Sequence, residues 1–272
     1  MNARKEGWMM NKKSILILTF LMFTIATRPV ISQATDHSGG AIFEIEKSRS
    51  DSSQIQDPED SKVIVNPGES PGTEGDLRID FVPYLNFSTV EMKDDISVLP
   101  VNAQLFHDSD QVRGNFIQVT DQREKPSGWT IQLRQETQFK QLMKQGAQLK
   151  GATISFDHTW TNSATNSQYS PEVSKEVIQM NHVGETYTIA TAKAEQGMGT
   201  WSIIFGASKE NTNKQRPTVF PRIDNTGNII EDPVFKKPSY VNNAVNLTIP
   251  KTSENEAGTY STVLTWIIAE LP

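Results

Sequence analysis

From Leu77 to the C-terminus the chain is a succession of short segments in which apolar and polar residues alternate, separated by Gly, Pro, Asn and Asp. The segments are 77–83, 86–91, 97–105, 115–121, 128–135, 148–157, 176–183, 186–192, 200–206, 240–248 and 258–269. A period of two sends successive side chains to opposite faces of a strand, so this density of short segments predicts an all-β sandwich or barrel-like domain. One stretch departs from it. In Thr137–Gln145, Phe139, Leu142 and Met143 stand at i, i+3 and i+4 ahead of Gly146, a helical spacing. At most one or two short helices are expected.

Three segments carry a tryptophan in phase with other large apolar residues. In Trp129-Thr130-Ile131-Gln132-Leu133, the Trp, Ile and Leu share one face, and Thr130, Gln132 and Arg134 share the other. Thr200-Trp201-Ser202-Ile203-Ile204-Phe205 is the second. In the third, Tyr260, Leu264, Trp266 and Ile268 line one face, while Ser261, Val263, Thr265 and Ile267 line the other. That strand is apolar enough on both faces to lie centrally in a sandwich. A Trp in period with Ile and Leu reads first as core. Trp160 instead falls where the polar stretch Thr161-Asn162-Ser163 begins, and is the candidate exposed aromatic for stacking on a sugar or filling a partner's pocket.

Ahead of Leu77 the pattern changes. Residues 41–46 alternate as a short strand, able to pair into the main domain, and Lys47–Gly75 is dominated by Ser, Pro, Gly and acidic side chains. Such a composition buries too little apolar surface to offset its ordering entropy, so a flexible acidic linker is expected. At the N-terminus Arg4, Lys5, Lys12 and Lys13 precede the apolar run Ile15–Ala26, and Ser32-Gln33-Ala34 supplies small residues for cleavage after Ala34. This is the three-part layout of a secretory signal peptide, and the run is short of the roughly 20 apolar residues that span a bilayer. The expected organisation is therefore 1–34 leader, 35–76 strand and linker, and 77–272 β domain.

Composition narrows the chemistry. The formal charge is −6, from 26 basic and 32 acidic residues. Removing the leader takes five basic and one acidic side chain and leaves −10, of which −7 falls between Asp36 and Asp80. A chain of this sign is not built to displace counterions from nucleic-acid phosphates. The absence of cysteine removes disulfides, thiolate catalysis and Cys-based metal sites, and in an exported protein it favours a Gram-positive envelope. No cofactor is expected. The four histidines, His37, His107, His158 and His182, form no His-x-x-x-His pair, and neither a Gly-x-Ser-x-Gly elbow nor a phosphate-binding Gly-rich loop occurs. No catalytic or metal site is expected. Asp108-Ser109-Asp110 opens like an acidic calcium loop, but lacks the glycine and distal Glu of that pattern. A solvated turn is the simpler reading.

The two outer tryptophan segments bear a resemblance. Tyr260, Leu264-Thr265-Trp266, Ile268 and Pro272 at the end of the chain, with Trp129-Thr130-Ile131 upstream, resemble the paired motifs of the WxL domain of Gram-positive cell-surface proteins. Val119-Thr120-Asp121 before the upstream motif and Leu149-Lys150-Gly151-Ala152 after it are similar to phrases of the same family. Ile131 and Ile268 stand where the family name calls for leucine, a change that preserves volume and strand preference. The resemblance implies a secreted, non-enzymatic protein held non-covalently to wall peptidoglycan. It also implies assembly with a membrane-anchored WxL-interacting protein and other surface proteins, and, for some members, adhesion to host matrix proteins.

Overall fold

The alternation at 115–121, 128–135 and 186–192 becomes strand nearly residue for residue in the computed structural model, which describes residues 41–42, 54–89, 95–251 and 256–271. Among these, seventeen strands run from β1 (Ala41–Ile42) to β17 (Tyr260–Glu270). The only helical element among the described residues is a single 3-10 turn at Ser167–Tyr169. The chain is thus all-β, as its periodicity predicts.

Three sheets enclose the core. The first runs β1-β17-β5-β11-β9, with β5 at Trp129–Gln135, β9 at Glu172–Val173 and β11 at Thr186–Ala192. Short β6 (Lys140–Gln141) extends it on β17. The second runs β10-β7-β16-β13, from β7 (Thr153–Phe156), β10 (Ile178–Met180), β13 (Val219–Pro221) and β16 (Tyr240–Ile249), with β3 (Ser97–Asn102) also on β16. The third runs β2-β4-β12-β8, from β2 (Leu77–Phe81), β4 (Asn115–Asp121), β8 (Thr159–Asn162) and β12 (Gly199–Phe205). A two-strand hairpin, β14 (Glu231–Asp232) with β15 (Lys237–Pro238), stands apart. Pairing is antiparallel except for β1, which lies parallel to β17 with Ala41 opposite Thr262 and Ile42 opposite Val263. The expected strand 41–46 therefore joins the main domain at its first two residues. Residues 43–46 lie outside the described residues.

All three sheets feed one apolar cluster: Trp129, Leu133, Leu264 and Trp266 from the first, Ile154, Phe156 and Val245 from the second, Ile79, Ile117 and Phe205 from the third. A second cluster lies on the other face of the third sheet, where Phe81, Phe116, Trp160 and Ile204 meet Ile55 and Val65. This explains the unbroken run Ile203-Ile204-Phe205. Its neighbours point to opposite faces, and both faces are covered.

The cover on that outer face corrects the expected boundary at Leu77. Residues 54–66 belong to the folded domain, crossing the third sheet and burying Ile55 and Val65. Gln118 on β4 anchors the crossing, accepting from the Gln56 N–H at 2.8 Å and donating to the Gln54 carbonyl at 3.1 Å. Two of the acidic residues that suggested a solvated tether, Asp57 and Glu59, are internal, while Asp60, Glu69 and Glu74 are exposed. Asp57 takes a two-pronged contact from Arg113 at 2.8 and 2.9 Å, and Glu59 accepts from both the backbone N–H and the hydroxyl of Ser208 at 2.6 Å. Downstream, Thr73 N–H donates to the Ile79 carbonyl, and Ser70 exchanges hydrogen bonds with the Val82 backbone. The segment borrows a sheet face for its few apolar side chains and an arginine for its charge, neither of which its own composition reveals. The start of the expected linker, 47–53, residues 35–40 and the leader lie outside the described residues.

The helical spacing at Thr137–Gln145 is also corrected. Phe139 is buried, but Leu142 and Met143 are exposed, so the three do not form one packed face. Lys140 and Gln141 pair with Ser261 and Tyr260 instead, and Gly146 turns the chain in a left-handed conformation at φ +86°. Cross-strand pairing outweighs a spacing that only three residues support.

Candidate functional site

The two tryptophan motifs lie more than a hundred residues apart in sequence and side by side in space. β5 and β17 pair antiparallel, with Leu133 opposite Trp266, Ile131 opposite Ile268 and Trp129 opposite Glu270. The register puts every apolar motif residue on the same, inward face. Trp129, Ile131, Leu264 and Trp266 are buried, as is Tyr260, and Ile268 is partly buried against the same core. Trp266 meets Phe156 of the opposing sheet edge-on, with ring centroids 6.3 Å apart.

Trp129 sits in a close-fitting cradle. Its side chain is fully buried, and the indole N–H donates to the Gly197 carbonyl at 3.2 Å. Gly197 has φ +73°, and a Cβ there would fall 2.6 Å from the indole nitrogen and from the Ala192 methyl. Glycine is required on both counts. Gly128, just before the tryptophan, has φ +99° and would drive a Cβ to 2.4 Å from the Ala192 carbonyl. The Gly-Trp pair and the distant Gly197 therefore form one packing unit.

Arg123 ties the ends of the motif strands together. Its guanidinium pairs with Asp121 at 2.9 Å and with Glu270 at 2.6 Å, and donates to the Gly128 carbonyl at 3.1 Å. The end of Val119-Thr120-Asp121, the start of β5 and the end of β17 thus share one cation. The first carboxylate is buried and the second exposed, so most of the holding strength lies in the Asp121 contact. Hydrogen bonding to Asp121 holds the arginine above its ordinary value despite some desolvation.

The outward face of the same strands is polar along β5 and β11 and mixed along β17. Thr130, Gln132 and Arg134 on β5 stand beside Ala269, Ile267 and Thr265 on β17, and beside Thr191, Thr188 and Thr186 on β11. Thr130, Gln132 and Thr265 are half-buried, and Thr186 and Thr188 exposed. Glu136 is held below the usual carboxylate range by the Thr265 hydroxyl first and by Arg134 second. Hydroxyls and amides in register on a sheet suit hydrogen bonding to a polymer rich in hydroxyl and amide groups. The sequence signal for this face was the polar half of each alternation, which the tryptophans overshadow.

Trp160 is a correction. It is 5% exposed, not an exposed aromatic, and its indole N–H donates to the Gly206 carbonyl at 2.8 Å. Thr161 and Asn162 continue β8 against β12, and Asn162 donates to the Pro58 carbonyl, so the polar residues after the tryptophan serve pairing and the N-terminal segment. The loop at Asp108-Ser109-Asp110 is organised around the chain's own cation. Lys237 Nζ donates to the Phe106 and Ser109 carbonyls at 2.8 and 2.9 Å, with Asp110 at 3.4 Å. Among the described residues no group of three or more His, Asp or Glu is placed to hold a metal ion. His107 stacks on Phe235 at 4.5 Å, and His158 lies 3.6 Å from Asp157 at the surface.

An all-β scaffold whose aromatic motifs build the core and whose outer strand faces present hydroxyls and amides has the layout of a surface-binding module. Residues 33–272 match the family described as WxL domain, surface cell wall-binding, and the chain belongs to it. No curated protein and no solved structure matches it. Among the described residues no helix is long and apolar enough to cross a membrane.

Proposed function

We propose that the protein is exported by cleavage after about Ala34 and attaches non-covalently to wall peptidoglycan through the outward face of β5, β11 and β17. The observation that carries this reading is the register of the two motif strands. It turns Trp129, Ile131 and Trp266 inward and leaves Thr130, Gln132 and Thr265 to meet a ligand. The tryptophans then serve attachment by holding two strands in one sheet, and the molecule works as a non-enzymatic surface protein. A face on which threonines and a glutamine predominate, with Arg134 paired to Glu136, rather than a basic groove, also suits a wall whose other polymers are anionic.

The test is retention on purified, protein-free peptidoglycan. Gln132→Ala combined with Thr188→Ala removes side chains without opening the core, so retention should fall about tenfold for two lost hydrogen-bonding groups. The melting temperature should stay within a degree or two. Undiminished retention would refute this face as the contact.

A second reading has support from a separate surface. Phe220, Ile223, Ile229 and Val234 are all exposed within one short stretch, and apolar side chains clustered in this way suit a protein partner such as a membrane-anchored WxL-interacting protein. Loss of co-purification from the envelope in Ile223→Ser with Ile229→Ser, at unchanged retention on peptidoglycan, would assign the two surfaces separately.

A further inference from the structure

Among the described residues, arginines that are not at the surface are paired. Arg78, Arg113, Arg123 and Arg134 each hold a carboxylate oxygen at 2.8–2.9 Å. Arg222 is the exception. Its guanidinium is partly buried in a cleft of about 180 Å³ between the chain after β2, β3 and the 230–239 hairpin, with no carboxylate in ion-pair contact among the described residues. One protein contact orients it, a 2.7 Å hydrogen bond from Nη1 to the Ser88 hydroxyl.

The position is built. Arg222 N–H donates to the Ser239 carbonyl, and the Arg222 carbonyl accepts from Ile230 N–H, so the backbone is clamped on both sides. Ser88 is held at φ +63° by an N–H bond to the Asn86 side-chain oxygen, and donates its own hydroxyl proton to the Asn102 oxygen at 2.5 Å. Asn86 and Asn102, whose side-chain oxygens accept these bonds, line the cleft together with the arginine. Burial pulls the Arg222 guanidinium below its ordinary value, and Asp232 only partly offsets this. A bound anion would relieve that cost.

We propose that this cleft is a second contact with the wall, taking the terminal carboxylate of a peptidoglycan stem peptide on the free edge of Arg222. This rests on the wall-attachment reading above and adds the chemical part of the polymer recognised. Two observations choose a peptide carboxylate. The cleft lies below the roughly 300 Å³ at which pockets for whole small molecules begin, so it suits a chain end. Its rim carries Glu231 and Asp232, which disfavour a polyanionic phosphate polymer and favour a ligand bearing a free amine as well as a carboxylate. A stem peptide with an unlinked diamino acid has both. Asp232 can serve, because only one of its oxygens is committed, to the Val234 and Phe235 N–H groups.

The experiment is calorimetry of the full mature chain with acetyl-L-alanyl-D-isoglutaminyl-L-lysyl-D-alanine, which carries one carboxylate and one amine, and with its C-terminal carboxamide. Saturable binding of the acid is expected, weakened at least about tenfold for the carboxamide and for Arg222→Gln, as for loss of a two-pronged charged hydrogen bond. Arg222→Lys should fall between, and Asp232→Asn should weaken the acid while leaving its lysine-acetylated form unchanged. Equal binding of acid and carboxamide, or no binding of either, overturns the proposal, and the wild-type comparison does so whatever the variants do to folding. Equal affinity for the peptide ending in L-alanine would point to a protein C-terminus instead, and stronger competition by inorganic phosphate to a phosphate polymer; either result overturns the assignment. Retention on intact peptidoglycan is measured in parallel. A chain that is retained but ignores the peptide loses the cleft and keeps wall attachment; one that binds the peptide but is not retained keeps the cleft and loses the wall reading.

Discussion

Trp129→Ala separates a tryptophan that builds the fold from one that touches the wall. The side chain is fully buried among Ile131, Ala192 and the rest of the main cluster, so truncation removes most of the apolar area of an indole from the core. An aromatic of this kind buries about 150–250 Å², which at about 25 cal/mol per Å² corresponds to about 4–6 kcal/mol. Measured Trp→Ala costs run about 3–5 kcal/mol because sites relax in part. Relaxation here is limited, because Gly197 already approaches as closely as a glycine can and its carbonyl loses the indole donor. We therefore expect about 4 kcal/mol, against about 5–15 kcal/mol for a whole domain. In urea, with a slope of about 2 kcal/mol per molar, the midpoint should fall by about 2 M. Trp129→Phe keeps the ring and loses the 3.2 Å hydrogen bond, so it should cost about 1–2 kcal/mol. Retention on peptidoglycan should survive in whatever fraction remains folded. An alanine variant with an unchanged midpoint and no retention would refute this reasoning and make the indole a contact.

Other expectations follow from the N-terminal segment. Arg113→Met leaves Asp57 and Glu59 buried without their cation, and should lower stability by about 3–5 kcal/mol in urea unfolding; a loss below about 1 kcal/mol would place those carboxylates in water. Burial raises the Glu59 carboxyl above its ordinary 4.5, against the opposing Ser208 hydrogen bonds and Arg113, so the folded chain binds that proton more tightly than the unfolded one. Its contribution to stability therefore declines as pH rises from about 4.5 through the folded value. The melting temperature of Glu59→Gln should gain on the wild type over that rise; a wild type that gains on the variant instead would reverse the assignment. A chain begun at Leu77 uncovers Phe81, Phe116, Trp160 and Ile204, and should bind hydrophobic dye and melt earlier. Equal melting without dye binding would restore the linker boundary.

The strands were legible because period-two alternation is a local property. Residues 115–121 and 186–192 are strand over the spans the alternation marks, and the all-β class follows from many such segments. The motif residues were legible as core for the same reason, since Trp129, Ile131 and Leu133 sit in phase. Trp160 was misplaced because its neighbours are polar for reasons outside the segment: Asn162 serves Pro58, about a hundred residues upstream. The fold of 54–76 was hidden likewise, because Asp57 and Glu59 read as solvated until Arg113 and Ser208 are brought against them.

By itself the sequence determined that this chain is built from β-strands, where the longer ones lie, which residues of the tryptophan strands face a core, and the family to which its motifs point. Only the tertiary structure decided that the two tryptophan strands are neighbours, that their outward threonines and glutamine share one face, and that Arg222 stands in a cleft with no carboxylate in ion-pair contact among the described residues. The division has a physical cause. Alternation is set by backbone geometry within a few residues, whereas strand order, the pairing of buried charges and the convergence of donors depend on contacts between segments far apart in the chain.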